Sequence, residues 1–249
     1  MIQVYPAQSR YYVDRDWLKS YYSFSFADYH DPENVRFGPL RVFNDDIIAP
    51  GKGFGPHPHH DMEIVTVVLK GYLKHEDSTG QAAVTTFGEI QRMSAGSGII
   101  HSEMNPSQTE EVQLLQIWFE PEQRGLTPSY EHTRYDLAQM KNRLLPVVSR
   151  QGDHPHIARI NQDLTLYLSD LEPGQQLEFV QEPGRRIFLF VIEGSLRVVP
   201  GTSDGSGSMS NDKTGIVELA RRDSVRITEE SRLQLHTREG ARLMLIDLP

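Results

Sequence analysis

Short runs of apolar and β-branched residues, separated by clusters of Gly, Pro, Asp and Asn, recur along the whole chain. In the first half they are Leu40–Phe43, Glu63–Leu69, Ala82–Phe87 and Val112–Phe119; in the second, Leu164–Leu168, Ile187–Ile192, Ser224–Ile227 and Arg242–Asp247. Runs of this length, evenly spaced between turn residues, predict antiparallel strands of barrels or sandwiches, an all-β fold. Helical periodicity is scarce. Its best stretch, Tyr135–Leu144, is short, and Pro146 stops it. Val67–Lys74 and Phe190–Arg197 share one pattern: an apolar strand, a charged residue, a glycine (Gly71, Gly194), then a second strand. The pattern predicts two copies of one small barrel, connected somewhere in Pro121–Gly152. Gly201–Gly215 is low in complexity and rich in Gly and Ser. Strands resume after it, so it predicts an elongated hairpin loop rather than an interdomain linker.

Composition narrows the possibilities. A chain of 249 residues, 38% of them hydrophobic, has room for one large or two medium domains with real cores. No apolar run approaches the length that crosses a bilayer, and the start MIQVYPAQSR lacks a basic and then apolar leader. The expectation is a cytoplasmic protein without membrane association. A net charge of −9 argues against direct nucleic-acid binding. The basic pairs Arg185-Arg186 and Arg221-Arg222 are short and read as solvated strand ends. Cysteine is absent, so any metal must be held by nitrogen and oxygen donors.

The candidate chemistry lies in two short motifs, His57-Pro58-His59 and His101-Ser102-Glu103. Side chains two apart on a strand project to the same face. Two such pairs on facing strands would aim three imidazoles and a carboxylate at one point. Strand alternation joins Glu103 to His101, but it does not by itself choose between Glu103 and the nearby Glu63 as the carboxylate. Three imidazoles and one carboxylate leave two octahedral positions open. That suits a redox-active Fe(II), Mn, Ni or Cu better than a closed structural zinc site, although the donors also admit Zn.

The residues around these motifs resemble the cupin superfamily. Its first motif, G-x5-H-x-H-x3-E, is met by Gly51, His57, His59 and Glu63, with the closing Gly71 one residue late. In the second motif Ser94 stands in place of proline and His101 falls two residues late, while Asn105 keeps its place. These departures resemble one branch, the pirins. So do the blocks HPHHDMEIVTVVLKG and MSAGSGIIHSEMNPS, the lead-in FSFADYHDPENVRFGPLRVFNDDIIAPGKGFG and the later LLQIWFEPEQRGLTPSYE.

The resemblance implies a bicupin, two antiparallel jelly-roll barrels with few short helices. Residues 1–130 would form the metal-binding barrel and 131–249 a degenerate barrel without metal, the whole acting as a monomer. It implies one divalent ion, Fe(II) foremost with Zn, Mn, Ni, Cu or Co as other candidates. Its ligands would be His57, His59, His101 and Glu103, with Glu63 turned away. For bacterial relatives the implied activity is quercetin 2,3-dioxygenase: oxidative opening of a flavonol's central ring with O2 and release of CO. The metal would serve as Lewis acid and template, and Glu103 as ligand or as general base for the 3-hydroxyl. The family also implies an alternative, a non-enzymatic metal-dependent regulatory protein that contacts transcription factors or metabolic enzymes. Another cupin enzyme, such as an isomerase, is a third reading.

The remaining histidines have plainer expectations. His60 should point to solvent, His75 should sit at a hairpin tip, and His154 and His156 should lie in a loop. The ungapped repeat sets Val180 and Glu182 where His57 and His59 stand, leaving His236 the only later histidine. One imidazole is not a metal site. Phe24, Phe26, Phe37, Phe43 and Phe54 read mostly as core. Phe37 and Phe54 are the candidates for a flat substrate pocket.

Overall fold

A computed structural model of the chain describes residues 1–201 and 215–249. The body of the predicted Gly201–Gly215 loop lies outside the described residues. The strands that flank it, Leu196–Pro200 and Val217–Leu219, pair antiparallel. The chain divides into two compact units, one of Arg10–Tyr135 with Val147–Asp163, the other of Met1–Ser9, Asp136–Pro146 and Leu164–Pro249. This differs from a single cut after residue 130, and strand pairing gives the reason. Ile2–Tyr5 pairs with Ser224–Thr228, which carries the start of the chain into the second unit. Asn161 bonds to Glu63, which keeps residues 147–163 with the first.

In the first unit a seven-stranded sheet runs in the order Ser129–Arg134, Glu89–Ser94, Glu63–Lys70, Val112–Phe119, Leu40–Ile48, Leu18–Tyr22, Tyr11–Asp14. A four-stranded sheet runs Gly53–His59, Ile99–Met104, Tyr72–Asp77, Ala82–Thr86. The second unit repeats the arrangement. Ile2–Tyr5, Ser224–Thr228, Arg186–Gly194, Ala241–Leu248 and Thr165–Leu171 neighbour one another in that order. Its four-stranded sheet runs Gln176–Val180, Arg232–His236, Leu196–Pro200, Val217–Leu219. The architecture is all-β, and the internal repeat seen in the sequence is a repeat of structure. Its hinge glycines agree in detail: Gly71 and Gly194 have φ of 79° and 82°. A Cβ would meet Glu111 O at 2.8 Å in the first case and Gly240 O at 2.0 Å in the second. Glycine therefore serves both the left-handed turn and the close approach.

The two interiors differ. In the second unit Phe179, Leu196, Val198, Leu233 and Leu235 are buried together in one apolar cluster. Val180 is 55% exposed, and Glu182 is exposed as well. The ungapped repeat thus misplaces the counterparts of the first histidine pair, because a one-residue slip in a strand exchanges its faces. Phe179 is the residue that points inward.

The predicted helix over 135–144 is absent. Leu137–Met140 makes one 3-10 turn, capped by Asp136, whose carboxylate accepts from Ala138 N. Lys141 is already extended and Asn142 has φ 55°, its N–H donating to Asp170 O. A segment this short does not offset the cost of helix nucleation once a strand neighbour competes for its N–H groups.

Candidate metal centre

The Gly53–His59 and Ile99–Met104 strands pair so that His57 lies opposite His101, with a register shift between His101 and Glu103. Close pairing needs Gly53, where a Cβ would stand 2.2 Å from Glu103 O. Strand alternation then brings His59 in beside His57. The imidazole centroids lie 4.9 Å apart for His57–His59, 4.4 Å for His57–His101 and 4.9 Å for His59–His101. Their ligating nitrogens fall within 4.8 Å of one another. His101 is buried at 2% exposure, while His57 and His59 are half-buried, so the cluster has an inner wall and a rim.

Glu103 belongs to a second, overlapping group. Its carboxylate lies within 4.8 Å of His101 and of His75. It is buried at 3% exposure and rests on a polar row that the large sheet builds across its inner face. Register pairs Gln91 with Thr66, and Thr66 with Gln116, so these side chains project together. Gln91 Nε2 donates to Glu103 Oε1 at 2.7 Å, Gln116 Nε2 to Oε2 at 2.7 Å, and Thr66 Oγ1 lies 3.4 Å from Oε1. Glu63 takes no part. It sits on the other face of its strand from Thr66, accepting from Ser94 Oγ at 2.5 Å and from Asn161 N at 3.1 Å. Ser94, the residue that replaces the motif proline, is therefore the partner that holds Glu63 away. Asn105 closes the turn after the His101 strand, its amide donating to Ile48 O, Ala49 O and Glu110 O.

Burial sets the charge states. It pulls His59 down to about 4, helped by His57 and His60, and pulls His101 down to about 2, helped by His57, His59 and His75. Both rings are neutral at pH 7 and keep a bare nitrogen. Burial pushes Glu103 up to about 7 against the pull of Gln91, Gln116 and Thr66. A second buried carboxyl, Asp46, is pushed up to about 7 by burial, with Asp45 and Glu103 adding to it and its bond from Ser20 opposing it.

The residues fit a divalent cation. His59 Nε2 and His101 Nε2 are buried with no hydrogen-bond partner, which a native interior seldom tolerates without reason. His57 Nδ1 lies 2.8 Å from Gly55 O. That contact assigns the proton to Nδ1 and leaves Nε2 bare, the usual way a backbone carbonyl orients a ligating ring. Three bare imidazole nitrogens with a carboxylate alongside form an open, mixed N/O donor set.

Of the pocket candidates, Phe54 is brought to the cluster, its ring centroid 6.3 Å from that of His57. Phe37 is half-buried in a β-bridge with Leu40. Sequence reasoning missed Trp118, whose ring stands edge-on to His59 at 4.8 Å. It also missed the amide row and the place of His75. His75 is not at a hairpin tip; it is fully buried within Tyr72–Asp77, with its Nδ1 3.3 Å from His101 Nδ1. His60 is solvent-exposed, and His154 and His156 stack on each other in a loop, as expected.

Comparison with known proteins places this geometry. The sequence profile described as Pirin matches residues 5–119, and that described as Quercetinase C-terminal cupin domain matches residues 146–248. A curated Escherichia coli (strain K12) protein named quercetin 2,3-dioxygenase is 39% identical over 249 residues, covering 100% of this chain and 99% of that one. The chain belongs to the pirin family. Among solved structures, YhhW from Escherichia coli superposes on this pirin with a TM-score of 0.89 at 38% identity, covering 100% of this chain and 98% of that one. The same bacterial pirin in complex with nickel(II) gives a TM-score of 0.88 at 36% identity, covering 100% and 99%. Among the described residues of this pirin, no helix is long and apolar enough to cross a membrane.

Proposed function

We propose that this pirin is a quercetin 2,3-dioxygenase-like oxidoreductase. With one divalent metal ion held by His57, His59, His101 and Glu103, it opens the central ring of flavonols such as quercetin. The flavonol and O2 are consumed, and the products are the ring-opened compound and CO. The observation that carries the reading is the convergence of the His57, His59 and His101 imidazoles, with the buried Glu103 carboxyl beside His101. The full-length likeness to a protein named for that activity supports it.

The ion, Fe(II) foremost, supplies Lewis acidity and redox chemistry when bound. The chain supplies the rest. The neutral rings of His59 and His101 present bare nitrogens at pH 7 without first having to lose protons. Glu103 serves as a ligand to the ion or, where it loosens from it, as the general base that accepts the flavonol 3-hydroxyl proton. Gln91 and Gln116 hold its two oxygens in place while the proton moves. Phe54 and Trp118 give the half-buried histidines aromatic flanks against which a flat polyphenol can pack. Phe37 is the further pocket candidate.

The test is aerobic incubation of fully metallated protein with quercetin. Loss of the flavonol absorbance band together with CO release, both abolished without O2, is the expected result. Quercetin left unchanged in air by protein of verified metal content would sink this reading.

A further inference from the structure

Behind His101 stands a histidine that the ligand set does not use. His75 is fully buried, with Tyr130 stacked on its ring at 4.5 Å and an interplanar angle of 17°. Antiparallel register sets His101 opposite Asp77 and Glu103 opposite His75, which brings the two strands' side chains together behind the cluster. His75 Nε2 lies 3.1 Å from Asp77 Oδ2, and His75 Nδ1 lies 3.3 Å from His101 Nδ1. The other oxygen of Asp77 accepts from Thr79 N at 2.8 Å, Thr79 Oγ1 at 2.6 Å and Gln81 N at 3.2 Å.

The direction of these bonds follows from the donor inventory. An aspartate met by donors on both oxygens acts as an acceptor only, so the proton between Asp77 and His75 sits on His75 Nε2. A neutral imidazole has a single N–H, which leaves His75 Nδ1 bare. The proton in the His75–His101 contact therefore belongs to His101 Nδ1. The nitrogen left bare on His101 is Nε2, the buried atom that finds no hydrogen-bond partner in the protein. The reverse arrangement would set a bare His75 nitrogen against the carboxylate, acceptor against acceptor.

We infer that Asp77 and His75 form an orienting relay that fixes His101 in its Nδ1–H tautomer and so presents His101 Nε2 to the cation. His75 is then a positioning residue and not a ligand. This rests on the metal-centre reading above. Outer partners of this kind commonly carry a tenfold to hundredfold effect on metal affinity. His75 also lies within 4.8 Å of His101 and Glu103, so a rival role as a direct ligand is concrete and is decided by the same experiment.

The experiment has two arms. In the first, Zn(II) affinity is measured by chelator competition for wild type, His75→Phe and Asp77→Asn, with folding checked by circular dichroism. Phenylalanine keeps the stacked ring but cannot accept from His101. Asparagine keeps the shape but can turn its amide N–H toward His75. The expected result is affinity weakened tenfold to hundredfold in His75→Phe and by a smaller factor in Asp77→Asn. Wild-type affinity in both folded variants overturns the inference. In the second arm, nitrogen-15 NMR of the imidazoles in wild-type protein reads the tautomers directly and needs no variant. His101 protonated at Nδ1 and His75 at Nε2 supports the relay. A proton on His101 Nε2 overturns it, as does a His75 nitrogen shifted by Zn(II) in the manner of a ligand. Wild-type protein that takes up no Zn(II) would sink the metal-centre reading alone, since the tautomers are also read without metal.

Discussion

Replacing Glu103 by glutamine should change how the stability of the metal-free protein depends on pH. The Glu103 carboxyl is raised by burial from its ordinary 4.5 to about 7. Between those values the folded protein holds a proton that the unfolded chain has already released. Stability therefore falls as pH rises through this window, and the loss is complete above pH 7. The rise from 4.5 to about 7 corresponds to roughly 3 kcal/mol at pH 8. Asp46 behaves in the same sense, and the Glu103 charge is among the causes of its rise, so part of its penalty goes with Glu103. Glu103→Gln keeps the shape but cannot ionise. One of its atoms becomes a donor facing the amide of Gln91 or Gln116, at a cost of about 1–3 kcal/mol that does not vary with pH. The slope, not the absolute value, is the test. Guanidinium unfolding at pH 5, 6, 7 and 8 can be followed by tryptophan fluorescence, since both tryptophans, Trp17 and Trp118, lie in the first unit. Wild type should lose about 2–3 kcal/mol more than the variant between pH 5 and pH 8, since part of the full loss has already occurred by pH 5. Parallel curves for the two proteins would refute the argument.

Three further outcomes follow from the same geometry. His101→Ala removes the imidazole that bridges the two donor groups, and metal content after dialysis should drop at least tenfold; wild-type content would refute the site. Gly53→Ala sets a methyl 2.2 Å from Glu103 O, and the resulting wedge between the His57 and His101 strands should cost about 2–3 kcal/mol in chemical denaturation. An unshifted midpoint would show that the strands part freely. His59 and His101 are already neutral above pH 5, and the proton on Glu103 competes with a cation there. Zn(II) affinity should climb about tenfold per pH unit below 7 and level off above it, and a flat profile from pH 5.5 to 8 would contradict this.

What could be read from the sequence is what depends on local periodicity. The pairs His57/His59 and His101/Glu103 are legible because the strand period is two, and the residues stay on one strand while it is counted. Glu63 is four residues beyond His59, but Asp61 intervenes with φ 48°, so counting faces across that turn fails. Only the paired sheet shows Glu63 facing Ser94 and Asn161. The run Lys74-His75-Glu76-Asp77-Ser78 predicts a hairpin tip at His75. Yet the turn starts at Asp77, whose carboxylate accepts from Thr79 N and Gln81 N. An Asp two residues before a threonine is a signal for a turn that begins at the Asp. With that start, Leu73 and His75 fall on the buried face, as both are observed. The amide row had no local signal. Gln91, Thr66 and Gln116 stand on three different strands, and only the non-local register makes them neighbours.

The two barrels together show what the first one gives up for its chemistry. Where the second unit closes its interior with Phe179, Leu233 and Leu235, the first buries Asp46, Glu103, His75 and His101 under an amide row. Buried polar and ionisable groups stabilise a fold less than well-packed hydrocarbon of the same volume, and a half-satisfied set is costly. His59 Nε2 and His101 Nε2 lie at the point where the ligand-bearing strands converge, while Glu103 and the far side of His101 have partners. Two buried, unpartnered imidazole nitrogens set within 4.8 Å of each other give the proposed cation its place in this interior.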